Sequence, residues 1–84
     1  MQELIFQNLQ SKAINLVLEP WATCDPIEPN SKVVIGFEPT EFDMEFVLEE
    51  DGSAFIFLVS TRVIVRIGDE VREYTPDPRT LRPR

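Results

Sequence analysis

No histidine occurs anywhere in the chain, cysteine occurs once and glycine three times, and each shortage removes a class of chemistry. Without imidazole there is no Ser-His-Asp or Cys-His nucleophilic site, no His-ligated zinc and no type-1 copper centre. The single thiol, Cys24, can close no intrachain disulfide and build no thiolate cluster, and no basic residue stands between it and Lys32 to activate it. Gly36, Gly52 and Gly68 lie too far apart to form a phosphate-cradling loop. No apolar run approaches the ~20 residues that a membrane-spanning helix needs. The opening MQELIFQNLQSK has neither the basic start nor the long apolar run of a secretory signal. These shortages predict a cytoplasmic protein with no cofactor, no metal and no membrane contact.

Positive charge is also scarce. Eight Lys and Arg stand against 15 Asp and Glu, a formal net charge of −7. Residues 75–84, TPDPRTLRPR, hold Arg79, Arg82 and Arg84 against Asp77, a net of +2, so the other 74 residues carry −9. Glu38, Glu41, Asp43, Glu45, Glu49, Glu50 and Asp51 follow one another with no basic residue among them. A surface of that sign repels a phosphate backbone, so the body is not expected to bind nucleic acid.

What the chain does have is apolar material for one core. Its 84 residues are 43% hydrophobic, with six Phe and one Tyr. They read as a single β-domain, residues 1–74, followed by a Pro/Arg-rich tail, residues 75–84. The apolar period is two wherever it can be read. Ile14, Leu16 and Leu18 form one alternating set, Val33, Ile35 and Phe37 a second, and Val63, Val65 and Ile67 a third. Phe42, Met44, Phe46 and Leu48 form a fourth, with Asp43, Glu45 and Glu49 on its other face. Such alternation marks strands with one face in a core and one in water.

Turn chemistry links these runs. Asp51-Gly52 between two apolar segments predicts a two-residue type I′ hairpin. That register opposes Leu48 to Phe55, Phe46 to Phe57 and Met44 to Val59 on the core face. It leaves Val47, Ile56 and Leu58 pointing away from the core, to be covered by Leu4–Phe6 or offered to a partner. Gly68-Asp69 predicts a second hairpin. A two-residue loop opposes Val65 to Arg72, a three-residue loop opposes Ile67 to Val71, and the pattern leaves both open. Residues 1–10 fit a strand better than a helical turn. The sum is an all-β fold, a small antiparallel β-sandwich or partly open barrel of six to seven short strands.

The segment LEPWATCDPIEPNSKV, residues 18–33, interrupts the alternation. Pro20, Pro26 and Pro29 predict a rigid crossover loop that cannot join a sheet at those positions. Trp21 reads as a plug at the end of the fold with its indole N–H on a loop carbonyl, or else as a partner's anchor. Glu19 with Asp25 or Glu28 is the one carboxylate grouping that could serve acid–base hydrolysis, although acids on solvated strand faces are far commoner. The run from residue 14 to 37, and in particular Glu19-Pro20-Trp21 and Pro29-Asn30-Ser31, resembles a pattern in small, stand-alone bacterial β-proteins. In those a strand ends in Glu-Pro-Trp, and a turn of Pro plus a small residue leads into a Val/Ile strand. Asn30 replaces the usual glycine. The resemblance implies the fold and no reaction.

These readings predict a non-enzymatic protein–protein binding or assembly module, with a protein partner or a second copy of the chain (a homodimer) as its target. The candidate contact residues are Trp21, Val47, Ile56 and Leu58, with Glu41, Asp43 and Glu45 as the acidic margin. An acidic inhibitor or immunity-type protein that blocks a basic partner is the alternative binding role. A carboxylate hydrolase or ligand-binding domain is the alternative from another class.

Overall fold

The computed structural model describes residues 1–41 and 43–75. Eight strands follow in order: β1 (Gln2–Gln7), β2 (Ile14–Glu19), β3 (Thr23–Ile27), β4 (Lys32–Phe37), β5 (Glu45–Leu48), β6 (Ser53–Phe57), β7 (Val63–Ile67) and β8 (Glu70–Tyr74). They form two four-stranded sheets, ordered β1-β4-β7-β8 and β3-β2-β6-β5. The all-β sandwich is as expected, with eight strands where six or seven were predicted. The first sheet is wholly antiparallel. In the second, β2 and β6 run parallel, which the antiparallel expectation missed. No helix among the described residues is long and apolar enough to cross a membrane.

Alternation assembles the core. Ile14, Leu16 and Leu18 of β2, Val33, Ile35 and Phe37 of β4, and Val63 and Val65 of β7 are all buried, as their spacing predicts. Ala54 and Ile56 of β6, Leu58 beyond it and Ile27 of β3 complete the cluster, and Leu4, Phe6, Trp21, Ile67 and Tyr74 pack against its margin. Each fully buried Val, Leu or Ile of the cluster contributes roughly 1.5–3 kcal/mol.

The β5–β6 hairpin departs from its predicted register by one residue. Leu48 pairs with Ala54, Val47 with Phe55 and Phe46 with Ile56. The loop is longer than Asp-Gly alone suggested. Gly52 N–H donates to Glu49 O at 3.1 Å, and Glu49 N–H donates to Ser53 O at 2.8 Å, so Glu50, Asp51 and Gly52 form a three-residue turn. Gly52 takes φ +89° at its end, the left-handed position of a bulge that closes such loops. Because side chains alternate strictly, the slip turns β6 over. Ile56 and Leu58, predicted to point away from the core, lie 0% and 1% exposed within it.

One further expectation is corrected, and one register left open is decided. About a third of the predicted crossover loop is the edge strand β3 (Thr23–Ile27), with Pro26 opposite Asn15. An edge strand bonds on one side alone, which leaves room for a residue without an N–H. At the second hairpin the two-residue loop prevails, with Ile67 opposite Glu70, Val65 opposite Arg72 and Gly68 at φ +58°.

The β1–β2 and β3–β4 crossings between sheets are held by one amide. Asn8 is 0% exposed. Its Nδ2 donates to Lys12 O at 2.9 Å and to Ile27 O at 2.8 Å, and its Oδ1 accepts from Gln10 N at 2.9 Å. Its backbone N–H donates to Ser31 O at 3.0 Å, and its carbonyl accepts from Asn30 N at 2.7 Å. Asn30 sits at φ +64°, the turn conformation that asparagine tolerates.

Replacing Asn8 by Ala would leave the Ile27 and Lys12 carbonyls without their donor, and is expected to cost about 2–4 kcal/mol in urea unfolding. Gly52→Ala is expected to cost about 1–2 kcal/mol, since a Cβ there strains the left-handed turn. A Gly52→Ala stability equal to wild type would argue against the three-residue loop.

Candidate functional site

The two flanks of the sandwich are built differently, and the difference locates the candidate site. On one flank, edge strands β3 and β8 each send a charge inward. Asp25 pairs with Leu16, and Arg72 pairs with Val65, so both side chains lie on core-facing positions. Arg72 Nη1 donates to Asp25 Oδ1 at 2.7 Å across the sheets, and Nη2 donates to Glu70 Oε2 at 2.9 Å. Hydrogen bonds to Glu70, Tyr74 and Asp25 raise the guanidinium pKa further above its already high ordinary value. The same contact, with the charge of Arg72, lowers the Glu70 carboxyl below its ordinary value.

Trp21 closes the same flank. Its ring lies 5.5 Å from that of Tyr74, tilted by 35°, and its Nε1 donates to Thr75 O at a long 3.4 Å. The indole is half-buried on the core margin, which is the geometry of the predicted plug. Thr23 Oγ1 is buried nearby on the inward face of β3, without a hydrogen-bond partner among the described residues.

The opposite flank, between β1 and β5, carries no such closure. Phe46 and Leu48 share the inner face with Ile56 and Ala54, yet remain 52% and 58% exposed. Met44 is exposed beside them. Phe6 of β1 reaches Phe46 at 6.1 Å between ring centroids and covers it in part. β5 is the outermost strand of its sheet, so among the described residues one side of its backbone pairs with no strand. Glu41, Asp43, Glu45, Glu49, Glu50 and Asp51 are exposed around it.

The predicted contact residues are not brought together. Trp21 belongs to the closed flank. Val47 is half-buried on the outward face of β5 opposite Phe55, and Glu45 stands opposite Phe57 on that face. Glu41 and Asp43 lie in the segment before β5. Ile56 and Leu58 are core. The residues that sequence reasoning placed in the core and the structure exposes are Met44, Phe46 and Leu48. Their alternation was visible, but nothing in the sequence said that β5 would form an edge. Phe42, the first of that set, lies outside the described residues, as does the tail from residue 76.

The carboxylate grouping also separates. Asp25 faces inward onto Arg72, whereas Glu19 follows inward-facing Leu18 and lies on the other face of the same sheet. Two acids on opposite faces share no cleft, and Glu28 follows Ile27, opposite Ile14 at the far end of β2 from Glu19. Among the described residues no three His, Cys, Asp or Glu side chains gather where they could hold a metal ion. No protein-family model, curated protein or solved structure matches the chain.

The Glu70–Arg72 contact has an acid limb. A carboxyl whose folded pKa is lowered contributes stability that is fully present above its unfolded pKa and is lost as pH falls through the folded value. Glu70→Gln is therefore expected to lower the melting temperature near pH 7. It should match wild type once the pH lies below the lowered folded value. A difference that does not shrink on acidification would remove the ionic origin of the contact.

Proposed function

We propose that the chain is a non-enzymatic protein-binding module that uses β5 and its flank as the binding edge. The observation that carries this reading is the contrast between flanks. The β3/β8 flank has inward charges and an aromatic plug, devices that keep edge strands from pairing with other chains. The β1/β5 flank has neither, and it exposes Phe46 and Leu48 beside an open strand edge.

The chemistry of that flank suits an extended partner segment with alternating apolar and basic residues. Its backbone would extend the β3-β2-β6-β5 sheet by one strand. Its apolar side chains would cover Phe46 and Leu48, and its basic ones would meet Glu45 and the acids on either side. Acidic surroundings speed the encounter with such a partner and make it sensitive to salt. An inhibitor of a basic partner is a special case of the same surface, favoured by the same six exposed acids. A second copy of this chain brings a like charge to the edge and is the weaker occupant on electrostatic grounds.

A seven-residue peptide of alternating lysine and valine tests the reading by fluorescence anisotropy. Binding is expected to weaken with salt. It should fall at least tenfold in Phe46→Asp/Leu48→Asp, while stability changes by about 1 kcal/mol or less, as for other exposed substitutions. Sedimentation of the free chain separates the self-association alternative. Peptide binding that survives the double substitution would reject β5 as the binding edge.

A further inference from the structure

The outward face of the second sheet has no further layer on it among the described residues. Across its middle, Val17 of β2 stands level with Phe55 of β6, and Phe55 with Val47 of β5, each of them half-buried. One row further, Glu19, Phe57 and Glu45 stand side by side, and the phenylalanine is 42% exposed between the two acids. Neither acid forms an ion pair among the described residues, and no described cation is placed to meet them. Arg62, Arg66 and Arg72 each sit with an acid elsewhere. Lys32 opens β4 in the other sheet, and Lys12 precedes β2 at its far end from Glu19. The charges that the described residues place on this face are all negative.

The cations of matching number follow in the chain itself. Thr75 O accepts from Trp21 Nε1 at 3.4 Å, and Trp21 is two residues after Glu19, so the described body ends beside this row. The next nine residues, PDPRTLRPR, hold three prolines, three arginines, one acid and one large apolar side chain, Leu81. Prolines favour the extended polyproline form, in which residues three apart share a ridge. Arg79 and Arg82 then fall on one ridge and Pro78 and Leu81 on the next, while Asp77, the one acid, shares the third with Thr80. A segment laid on a surface turns two ridges down and one to water, and this sequence has its acid on the ridge to spare.

Spacing fits as well. Glu19 and Glu45 are one strand to either side of Phe57, about 9.5 Å apart at the usual strand separation. Arg79 and Arg82 are about 9.3 Å apart in a polyproline segment, and Arg79 lies about 12 Å from Thr75, which carries it past the β3 edge. We propose that residues 76–84 of this chain dock across the outward face of the second sheet, with Arg79 on Glu19, Arg82 on Glu45 and Leu81 on Phe57. A second copy of the chain would bring acids of its own to the same face, and like charges oppose that pairing. Phe46 and Leu48 lie on the other face of β5, so the peptide-binding reading stands or falls by its own test.

Nuclear Overhauser effects in the full chain test the contact. Cross-peaks are expected from the Leu81 methyls to the Phe57 ring. Order parameters of the Arg79, Thr80, Leu81 and Arg82 amides should exceed about 0.6, the value below which a backbone counts as flexible. In Arg79→Glu/Arg82→Glu the cross-peaks should vanish and the order parameters fall below that value, while the amide spectrum of residues 1–75 reports that the body keeps its fold. Cross-peaks missing from the wild type, or unchanged in the charge-reversed variant, would overturn the inference. Loss of the wild-type cross-peaks on tenfold dilution would overturn it too, because the segment would then belong to a neighbouring molecule.

Discussion

The Asn8 carboxamide engages two separate stretches of backbone, and both sheets depend on where those stretches lie. β1 leaves the first sheet and β2 enters the second; β3 leaves the second and β4 enters the first. These two crossings run side by side, and at such places the chain must bury peptide groups that no ladder satisfies. Asn8 supplies two donors to carbonyls of Lys12 and Ile27 and an acceptor to the Gln10 amide, while its own peptide bonds to Asn30 and Ser31. A shorter or apolar side chain would fill the space without satisfying those groups. Among the described residues the buried polar side chains are Asn8 here and Ser60 at the β4–β5 and β6–β7 crossings, and most of the remaining core is Ile, Leu and Val.

Much of the architecture was legible because three strands obey one rule each. The inward sets of β2, β4 and β7 are clean alternations, and a strand with one apolar face has one way to sit in a sandwich. β6 was not legible for the opposite reason. Phe55 and Phe57 make one of its faces apolar, while Ala54 and Ile56 make the other so, and the choice fell to the turn. Asp51-Gly52 serves a two-residue or a three-residue loop, and the difference of one residue decides which face is core. Burial favours the smaller side chains here. Ala54 and Ile56 fill the layer between sheets, and Phe57 stays 42% exposed outside.

The second hairpin and β3 were obscured by the same feature seen from two sides. Arg72 opposite Val65 looks like an error of register until Asp25 is placed across from it, and no local pattern announces a pairing between residues 47 positions apart. Pro26 similarly argued against a strand, because only the sheet order reveals that β3 is an edge. Local rules read pairs within an element. The flanks of this sandwich are decided by which strands finish outermost, a global property. The exposure of Phe46 and Leu48 belongs to that same category.

The parallel pairing of β2 with β6 has a consequence for the order of events in folding. Every other ladder of the second sheet lies within a hairpin: Leu18 meets Thr23, and Leu48 meets Ala54. Asn15 and Ser53, 38 positions apart, meet only when β2 and β6 join. Closing that longer loop costs about 2 kcal/mol more chain entropy than closing either hairpin. Until residue 57 has left the ribosome, β2 has no partner on its second side. The emerging chain therefore carries Leu16 and Leu18 on a strand that stays open on one side until β6 joins it.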